Sequence, residues 1–211
     1  MNQYIDHTLL RPDASWADIR QLCAEAIQHR FYAVCVPPYY VARCRQELDG
    51  TAVKLATVVG FPYGYAETMN KIAEARRAMD EGADEIDFVI NRAAVRSGDW
   101  GYVRSDIEHL VTAVRLKGRV SKVILEITEL SDSERDQLLD LCNELRPDYV
   151  KTSTGLMGGA RAEDLRYLRA NLYKDIRLKA SGGIRDRQQA VELIAAGADR
   201  LGTSRGISVV G

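Results

Sequence analysis

Two stretches decide the fold of this chain, EGADEIDFVI at residues 81–90 and AGADRLGTS at residues 196–204. In each, a glycine ends a helical pattern, and Ala-Asp then leads directly into an apolar strand. Two copies of one helix-to-strand corner, far apart in the chain, indicate a repeating architecture in which helices and strands alternate.

Strand and helix patterns do alternate along the whole sequence. Short apolar, β-branched stretches are separated by segments whose hydrophobic residues recur three and four positions apart. The predicted strands are residues 4–7, 32–36, 54–59, 85–90, 122–127, 149–152, 177–180 and 200–203. The predicted helices are residues 16–29, 38–48, 66–81, 102–116, 131–145, 162–171 and 187–196.

Unbroken alternation implies an α/β fold with parallel strands joined by helical crossovers, and eight repeats favour a closed (β/α)8 barrel, the TIM barrel. An open parallel sheet with helices on both faces is the alternative. Since no linker rich in Gly, Ser or Pro divides the chain, residues 1–211 are expected to form a single domain. Such barrels take ~250 residues, so we expect a compact form with short loops and no long C-terminal tail.

The composition argues against several classes of protein. The chain is 46% hydrophobic and 28% charged, as in ordinary globular proteins, and its 29 Lys+Arg and 30 Asp+Glu give a formal net charge of -1. This lacks the basic excess of nucleic-acid-binding proteins, and no apolar run approaches the ~20 residues of a membrane span. Four cysteines without a CxxC pair and an N-terminus without an apolar signal core predict a cytoplasmic protein.

Charged residues inside three of the apolar strands are the first candidates for chemistry. Alternation along residues 85–90 places Ile86, Phe88 and Ile90 on one face and Asp87 on the other, so Asp87 is expected to point into the barrel. Lys151 and Lys179 interrupt two neighbouring strands in the same way. A buried carboxylate needs a cation, and these two amines are the expected partners.

Such a pair of lysines has a chemical interpretation. A desolvated amine beside a second ammonium has a lowered pKa and becomes a nucleophile that forms a Schiff base with a carbonyl compound. A nearby carboxylate can move the protons that these steps require. The alternative is purely structural: both lysines reach outward to water or form ion pairs with Asp87 and Glu126.

Two glycine-bearing loops follow the last two predicted strands, SGGIR at residues 181–185 and GTSRG at residues 202–206. The corresponding loops of (β/α)8 barrels often bind phosphate through backbone N–H groups, and glycine permits close approach of the backbone to an anion. Arg185 and Arg205 can add positive charge there. The alternative is that the glycines serve turn geometry and the arginines are surface residues.

Other candidates carry a weaker signal. His7 ends the first strand and either touches substrate or is a hydrogen-bonded structural residue, and Cys35 is more typical of a core thiol than of a nucleophile. Lys54 begins its strand, at the end of the barrel opposite the expected site. No cluster of His, Cys and Asp has the spacing of metal ligands, so no metal site is predicted.

Motifs along nearly the whole chain point to one family. They are IDHTLL (5–10), AVCV (33–36), VGFPYG (59–64), DEIDFVIN (84–91), VKTSTG (150–155), KASGGIR (179–185) and GTS (202–204). In these motifs the chain resembles the deoxyribose-phosphate aldolase family, class I aldolases on a (β/α)8 barrel, and the pair VKTSTG and KASGGIR is highly specific.

The resemblance implies a role for each matching residue. Lys151 matches the lysine that forms the imine, Lys179 the lysine that perturbs it, and Asp87 the aspartate that relays protons. The residues implied in binding substrate or phosphate are Thr154, Ser181, Gly182, Gly183, Gly202, Ser204 and Arg205.

The resemblance also implies the reaction, the reversible cleavage of 2-deoxy-D-ribose 5-phosphate to D-glyceraldehyde 3-phosphate and acetaldehyde. We expect no external cofactor, and we expect the protein to form a homo-oligomer. The alternatives are another phosphate-binding barrel enzyme and a sugar-phosphate-binding barrel without catalytic activity.

Overall fold

The computed structural model describes residues 1–211, in which eight strands form a closed barrel. Every strand pairs in parallel with its neighbours in sequence, and β1 closes the barrel against β8. The strands are β1 Ile5–Thr8, β2 Ala33–Val36, β3 Lys54–Val59, β4 Glu85–Val89, β5 Val120–Ile124, β6 Tyr149–Lys151, β7 Arg177–Ser181 and β8 Arg200–Thr203. The predicted (β/α)8 barrel is confirmed, and the open sheet is excluded.

Nine helices surround or follow the strands. They are α1 Trp16–Gln28, α2 Val41–Glu47, α3 Thr68–Asp80, α4 Arg92–Arg96, α5 Trp100–Leu116, α6 Asp132–Leu145, α7 Ala162–Asn171, α8 Arg187–Ala195 and α9 Gly206–Val210. None of the nine combines the length and the apolar character that a bilayer crossing needs.

The sequence prediction misses two short helices and misplaces one strand. Helices α4 and α9 have only five residues each, too few to show a helical period. The strand predicted at residues 122–127 is Val120–Ile124, because Glu126 has φ 55 and begins a short 3-10 turn. A residue in the left-handed region cannot continue an extended strand.

The two near-identical stretches at residues 81–90 and 196–204 are equivalent corners of the barrel. The Asp84 carboxylate accepts a hydrogen bond from the N–H of Leu55 at 3.0 Å, and the Asp199 carboxylate accepts one from Leu178 at 2.8 Å. Each aspartate therefore fixes the incoming strand against the start of the preceding one. The repeated Ala-Asp has a structural cause, the satisfaction of a strand N–H at the lower rim of the barrel.

Apolar side chains fill the layer between the strands and the helices, whereas the inside of the barrel contains few of them. Ile86, Phe88 and Ile90 belong to the outer core cluster, as the alternation predicts. Inside the barrel the apolar cluster is small, and its buried members are Cys35, Ala56 and Val58. Several of the other inward positions carry charged side chains.

Removing the Phe88 ring should destabilise the fold, because the ring is fully buried between β4 and the helices. Phe88→Ala is expected to lower the free energy of unfolding by roughly 3–5 kcal/mol in urea titrations. Leu116→Ala is the control, because Leu116 is 82% exposed and its truncation should change stability by less than about 0.5 kcal/mol. Equal effects of the two substitutions would contradict this description of the core.

Candidate active site

Strand alternation brings Asp87, Lys151 and Lys179 together inside the barrel. The ammonium nitrogens of Lys151 and Lys179 lie 3.0 Å and 2.8 Å from Asp87 Oδ2. All three side chains are buried, and Lys151 and Lys179 are register partners on neighbouring strands. The expected proximity of the two amines and the carboxylate is therefore present.

Four further charged residues join this cluster, and the sequence reasoning did not assign them. Lys122 Nζ lies 2.6 Å from Asp87 Oδ1 and 2.7 Å from Glu85 Oε2. Glu85 and Lys122 both occupy inward-facing positions of their strands. The alternation that predicted an inward-facing Asp87 could therefore have predicted these two residues as well.

Asp6 and Arg200 complete the cluster from β1 and β8. Asp6 Oδ2 lies 2.5 Å from Lys179 Nζ, while Asp6 Oδ1 accepts hydrogen bonds from the Arg200 guanidinium. The same guanidinium contacts Glu85 Oε2 at 3.1 Å. The interior thus holds one continuous network of charged side chains from six strands, β1 and β4 to β8.

The network moves the pKa values of the two lysines in opposite directions. Burial lowers the pKa of Lys151, Asp87 opposes this, and the ammonium of Lys179 lowers it further. Burial also acts on Lys179, but Asp6 and Asp87 together raise its pKa above the ordinary value. Lys151 is therefore the amine that more readily loses its proton.

The carboxylates of Asp87 and Asp6 stay ionised. Burial acts to raise the pKa of Asp87, but Lys122, Lys179 and Lys151 outweigh it and hold this pKa well below its usual range. The Arg200 guanidinium and Lys179 likewise lower the pKa of Asp6 to about 2. At neutral pH both groups are hydrogen-bond acceptors only.

A cleft of about 360 Å³ opens above Lys151 at the carboxyl end of the strands. All seven residues predicted to bind substrate or phosphate lie in its wall, namely Thr154, Ser181, Gly182, Gly183, Gly202, Ser204 and Arg205. Lys151 is part of the same wall, so the cleft joins the glycine loops to the amine. A second hollow, about 440 Å³, lies beside α7 and α8 and contains none of the buried amines.

Close packing in the cleft wall requires two of the glycines. A Cβ on Gly182, which has φ +92, would lie 2.6 Å from the carbonyl oxygen of Gly158, so the loop after β7 can approach the loop after β6 only without a side chain. A Cβ on Gly202 would collide with Ser181 Oγ, a buried hydroxyl with no protein partner. These glycines therefore serve close backbone approach as well as turn geometry.

Glu126 supports the cleft and does not pair with the lysines. Its Oε2 accepts hydrogen bonds from the backbone N–H of Thr154 at 3.0 Å and from the Thr154 hydroxyl at 2.5 Å. The alternative in which Glu126 forms an ion pair with Lys151 or Lys179 is therefore wrong. The ion pairs of both lysines with Asp87 are present.

The environments of His7, Cys35 and Lys54, the weaker candidates, are explained by structural roles. His7 is buried, and its Nε2 lies 2.7 Å from Glu25 Oε2. Cys35 faces the barrel interior, where burial raises the pKa of its thiol and keeps it neutral. Lys54 is exposed at the start of β3, at the lower end of the barrel.

The fold and the cleft define a (β/α)8 barrel with an amine at the carboxyl end of its strands, an arrangement suited to aldolase chemistry. The family model described as "DeoC/LacD family aldolase" matches residues 1–209. The chain belongs to this aldolase family.

Individual relatives agree along nearly their whole length. The chain is 47% identical to the deoxyribose-phosphate aldolase of Thermococcus gammatolerans, over 99% of this chain and 94% of the relative. It is 45% identical to that of Caldicellulosiruptor saccharolyticus, over 99% and 96%. The tetrameric deoxyribose phosphate aldolase of Aeropyrum pernix superimposes with a TM-score of 0.92 at 33% identity, covering 99% of this chain and 88% of that one.

Protonation of Asp6 should destabilise the fold. Its pKa is about 2 against the ordinary 3.8, so the ionised form contributes about 2 kcal/mol that is complete above about pH 4 and is lost as the pH falls through about 2. Urea titrations across this range should show this loss. Asp6→Asn should be less stable at neutral pH and should show a weaker pH dependence, and parallel curves for the two proteins would contradict the assignment.

Proposed function

We propose that this protein is a deoxyribose-phosphate aldolase that cleaves 2-deoxy-D-ribose 5-phosphate to D-glyceraldehyde 3-phosphate and acetaldehyde, and catalyses the reverse addition. One observation carries the proposal: Lys151, the buried amine with a lowered pKa, opens directly onto the cleft. Family membership supports the reaction class, and the names of the relatives support the substrate.

The proposed reaction begins with the neutral amine of Lys151. Its lone pair attacks C1 of the open-chain aldehyde, and loss of water from the resulting carbinolamine gives a protonated imine. A base removes the proton of the C3 hydroxyl, the C2–C3 bond breaks, and its electron pair moves toward the imine nitrogen. D-glyceraldehyde 3-phosphate leaves, and an enamine of acetaldehyde remains on Lys151.

The second half returns the enzyme to its starting state. The enamine takes a proton at C2, water adds to the imine carbon, and acetaldehyde departs from the lysine. Lys179 stays protonated because of Asp6 and Asp87, so it can serve as an acid on the strand next to Lys151. Asp87 holds both amines, and we assign it, directly or through water, to the transfer of protons between them and the substrate.

The phosphate is proposed to bind where the loops after β7 and β8 line the cleft. Backbone N–H groups near Gly182 and Gly183 and the unpartnered hydroxyl of Ser181 are suitable donors. Arg185 and Arg205 line the same wall, and neither forms an ion pair with a carboxylate of this chain. Their guanidinium groups are therefore available to a phosphate dianion.

The remaining expectations concern surroundings and assembly. The lysine itself supplies the electron sink, so we propose no external cofactor, and no nucleic-acid or membrane partner. The tetrameric relative from Aeropyrum pernix supports a homo-oligomer. Four free, buried cysteines support a reducing, cytoplasmic compartment.

Trapping the imine tests the nucleophile. Incubation with acetaldehyde and sodium borohydride should add an ethyl group to the peptide that contains Lys151, seen by mass mapping. Lys151→Ala should abolish cleavage of deoxyribose 5-phosphate, while Lys174→Ala is the control because Lys174 is exposed and lies outside the cleft. A chain that binds sugar phosphate without catalysis, or a barrel enzyme without an imine, would leave Lys151 unlabelled.

Loss of a guanidinium tests the phosphate site. Arg205→Gln should raise KM for deoxyribose 5-phosphate roughly tenfold, the equivalent of one charge-assisted hydrogen bond, with little change in kcat/KM for unphosphorylated deoxyribose. Arg166→Gln is the matched control, because Arg166 is exposed on α7 outside the cleft. An equal effect of Arg205→Gln on both substrates would place the phosphate elsewhere.

A further inference from the structure

The charged network inside the barrel carries a surplus of positive charge. Its cations are Lys122, Lys151, Lys179 and Arg200, and its anions are Asp6, Glu85 and Asp87. With every group ionised, four positive charges face three negative ones. All seven residues are at most 2% exposed, so water screens this surplus poorly, and loss of one proton is favoured.

The contacts indicate which group gives up that proton. Lys122 lies against two carboxylates, Glu85 and Asp87, and Lys179 also lies against two. Lys151 contacts only Asp87, which it shares with both other amines. It is therefore the least compensated lysine of the network.

Arg200 differs from the lysines because a guanidinium stays protonated in proteins. It is held by Asp6 and Glu85, and its Cζ lies 3.6 Å from the centre of the Tyr32 ring. Arg200 thus adds a permanent positive charge to the network, and only a lysine can release the surplus proton.

We propose that Arg200 and Glu85 are positioning residues: they set the surplus of positive charge in the barrel interior, and this surplus determines how readily Lys151 releases its proton. Neither residue lies in the cleft wall, so both act on the reaction from below. The inference rests on the proposed function, in which the neutral amine of Lys151 attacks the aldehyde.

The other groups around Lys151 leave this count unchanged. Burial raises the pKa values of Cys35 on β2 and Tyr149 on β6, so both stay neutral. β3 contributes Ala56 and Val58 to the interior, and its Lys54 is exposed. Glu126, above β5, is bound to Thr154 and forms no ion pair with an amine. The charged network around Lys151 therefore consists of Asp6, Glu85, Asp87, Lys122, Lys179 and Arg200, of which Asp87 contacts Lys151 directly. Glu126 is a separate buried carboxylate that is common to every variant compared below, so it does not alter the differences between them.

Two single substitutions should shift Lys151 in opposite directions. Arg200→Gln leaves three cations and three anions, so Lys151 should keep its proton to a pH about one unit higher. Glu85→Gln leaves four cations and two anions, so Lys151 should lose its proton at lower pH. The double variant Arg200→Gln with Glu85→Gln restores a surplus of one, and its behaviour should return close to that of the unaltered protein.

The measurement is the initial rate at which acetaldehyde and sodium cyanoborohydride alkylate Lys151, followed by peptide mass mapping as a function of pH. The midpoint of the acid limb reports protonation of the attacking amine. Arg177→Gln is the matched control. The Cζ of Arg177 lies 4.1 Å from the centre of the Tyr149 ring, but Arg177 is exposed at the start of β7. Water therefore screens its charge, and the midpoint should not move.

Opposite shifts in the single variants and a return in the double variant support the proposal. Unchanged midpoints, shifts in one common direction, or a double variant that fails to return would overturn it. If Arg200→Gln does not fold, the Glu85→Gln variant and the double variant test the proposal. The double variant removes both members of the Arg200–Glu85 ion pair, so it leaves neither of these two charges buried without the other. Absence of labelling on Lys151 in the unaltered protein would instead refute the proposed function.

Discussion

Mutual compensation of buried charges is the constraint on which this barrel depends. The inward positions of such barrels are usually filled by layers of bulky branched side chains. Here Asp6, Asp87 and Glu85 face lysines and an arginine in a region closed to water. A single one of these charges would be prohibitively costly in that position, and each is tolerated only because its partners approach within hydrogen-bond distance.

The apolar layer outside the strands makes this interior possible. A core cluster of 50 buried residues packs the strands against the helices and supplies the main hydrophobic stabilisation. It also fixes strand positions, so charged atoms on different strands meet at 2.5 to 3.0 Å. Small inward residues such as Ala56 leave room for long lysine side chains. Stability and chemistry are therefore divided between the two faces of the same strands.

Sequence patterns predicted the fold and the central trio for one physical reason. Strand alternation has a period of two, so a lysine or aspartate at an apolar position is visible from sequence alone. That is how Asp87, Lys151 and Lys179 were found. The same rule applied to Glu85 and Arg200 would have extended the set, but each begins its strand, where a charged residue is equally typical of a solvated end.

The pairing of these side chains could not be read from the sequence. Whether Lys151 meets Asp87 or Glu126 depends on the register and tilt of strands that are distant in the chain, and the left-handed conformation of Glu126 directs it toward Thr154 instead. The short helices α4 and α9 were missed because five residues carry too little periodicity to be distinguished from loops.

The cleft separates two environments that suit the two ends of the proposed substrate. An aldehyde is neutral, so moving it from water to the amine at the closed end costs little compared with moving an ion. A phosphate dianion is expensive to desolvate, and Arg185 and Arg205 stand at the exposed end, where water can complete its hydration. Because Lys151 is the one member of the charged network in the cleft wall, it alone connects the interior charges to the substrate. The electrostatics of the interior can therefore act on the reacting amine without exposing the rest of the network to water.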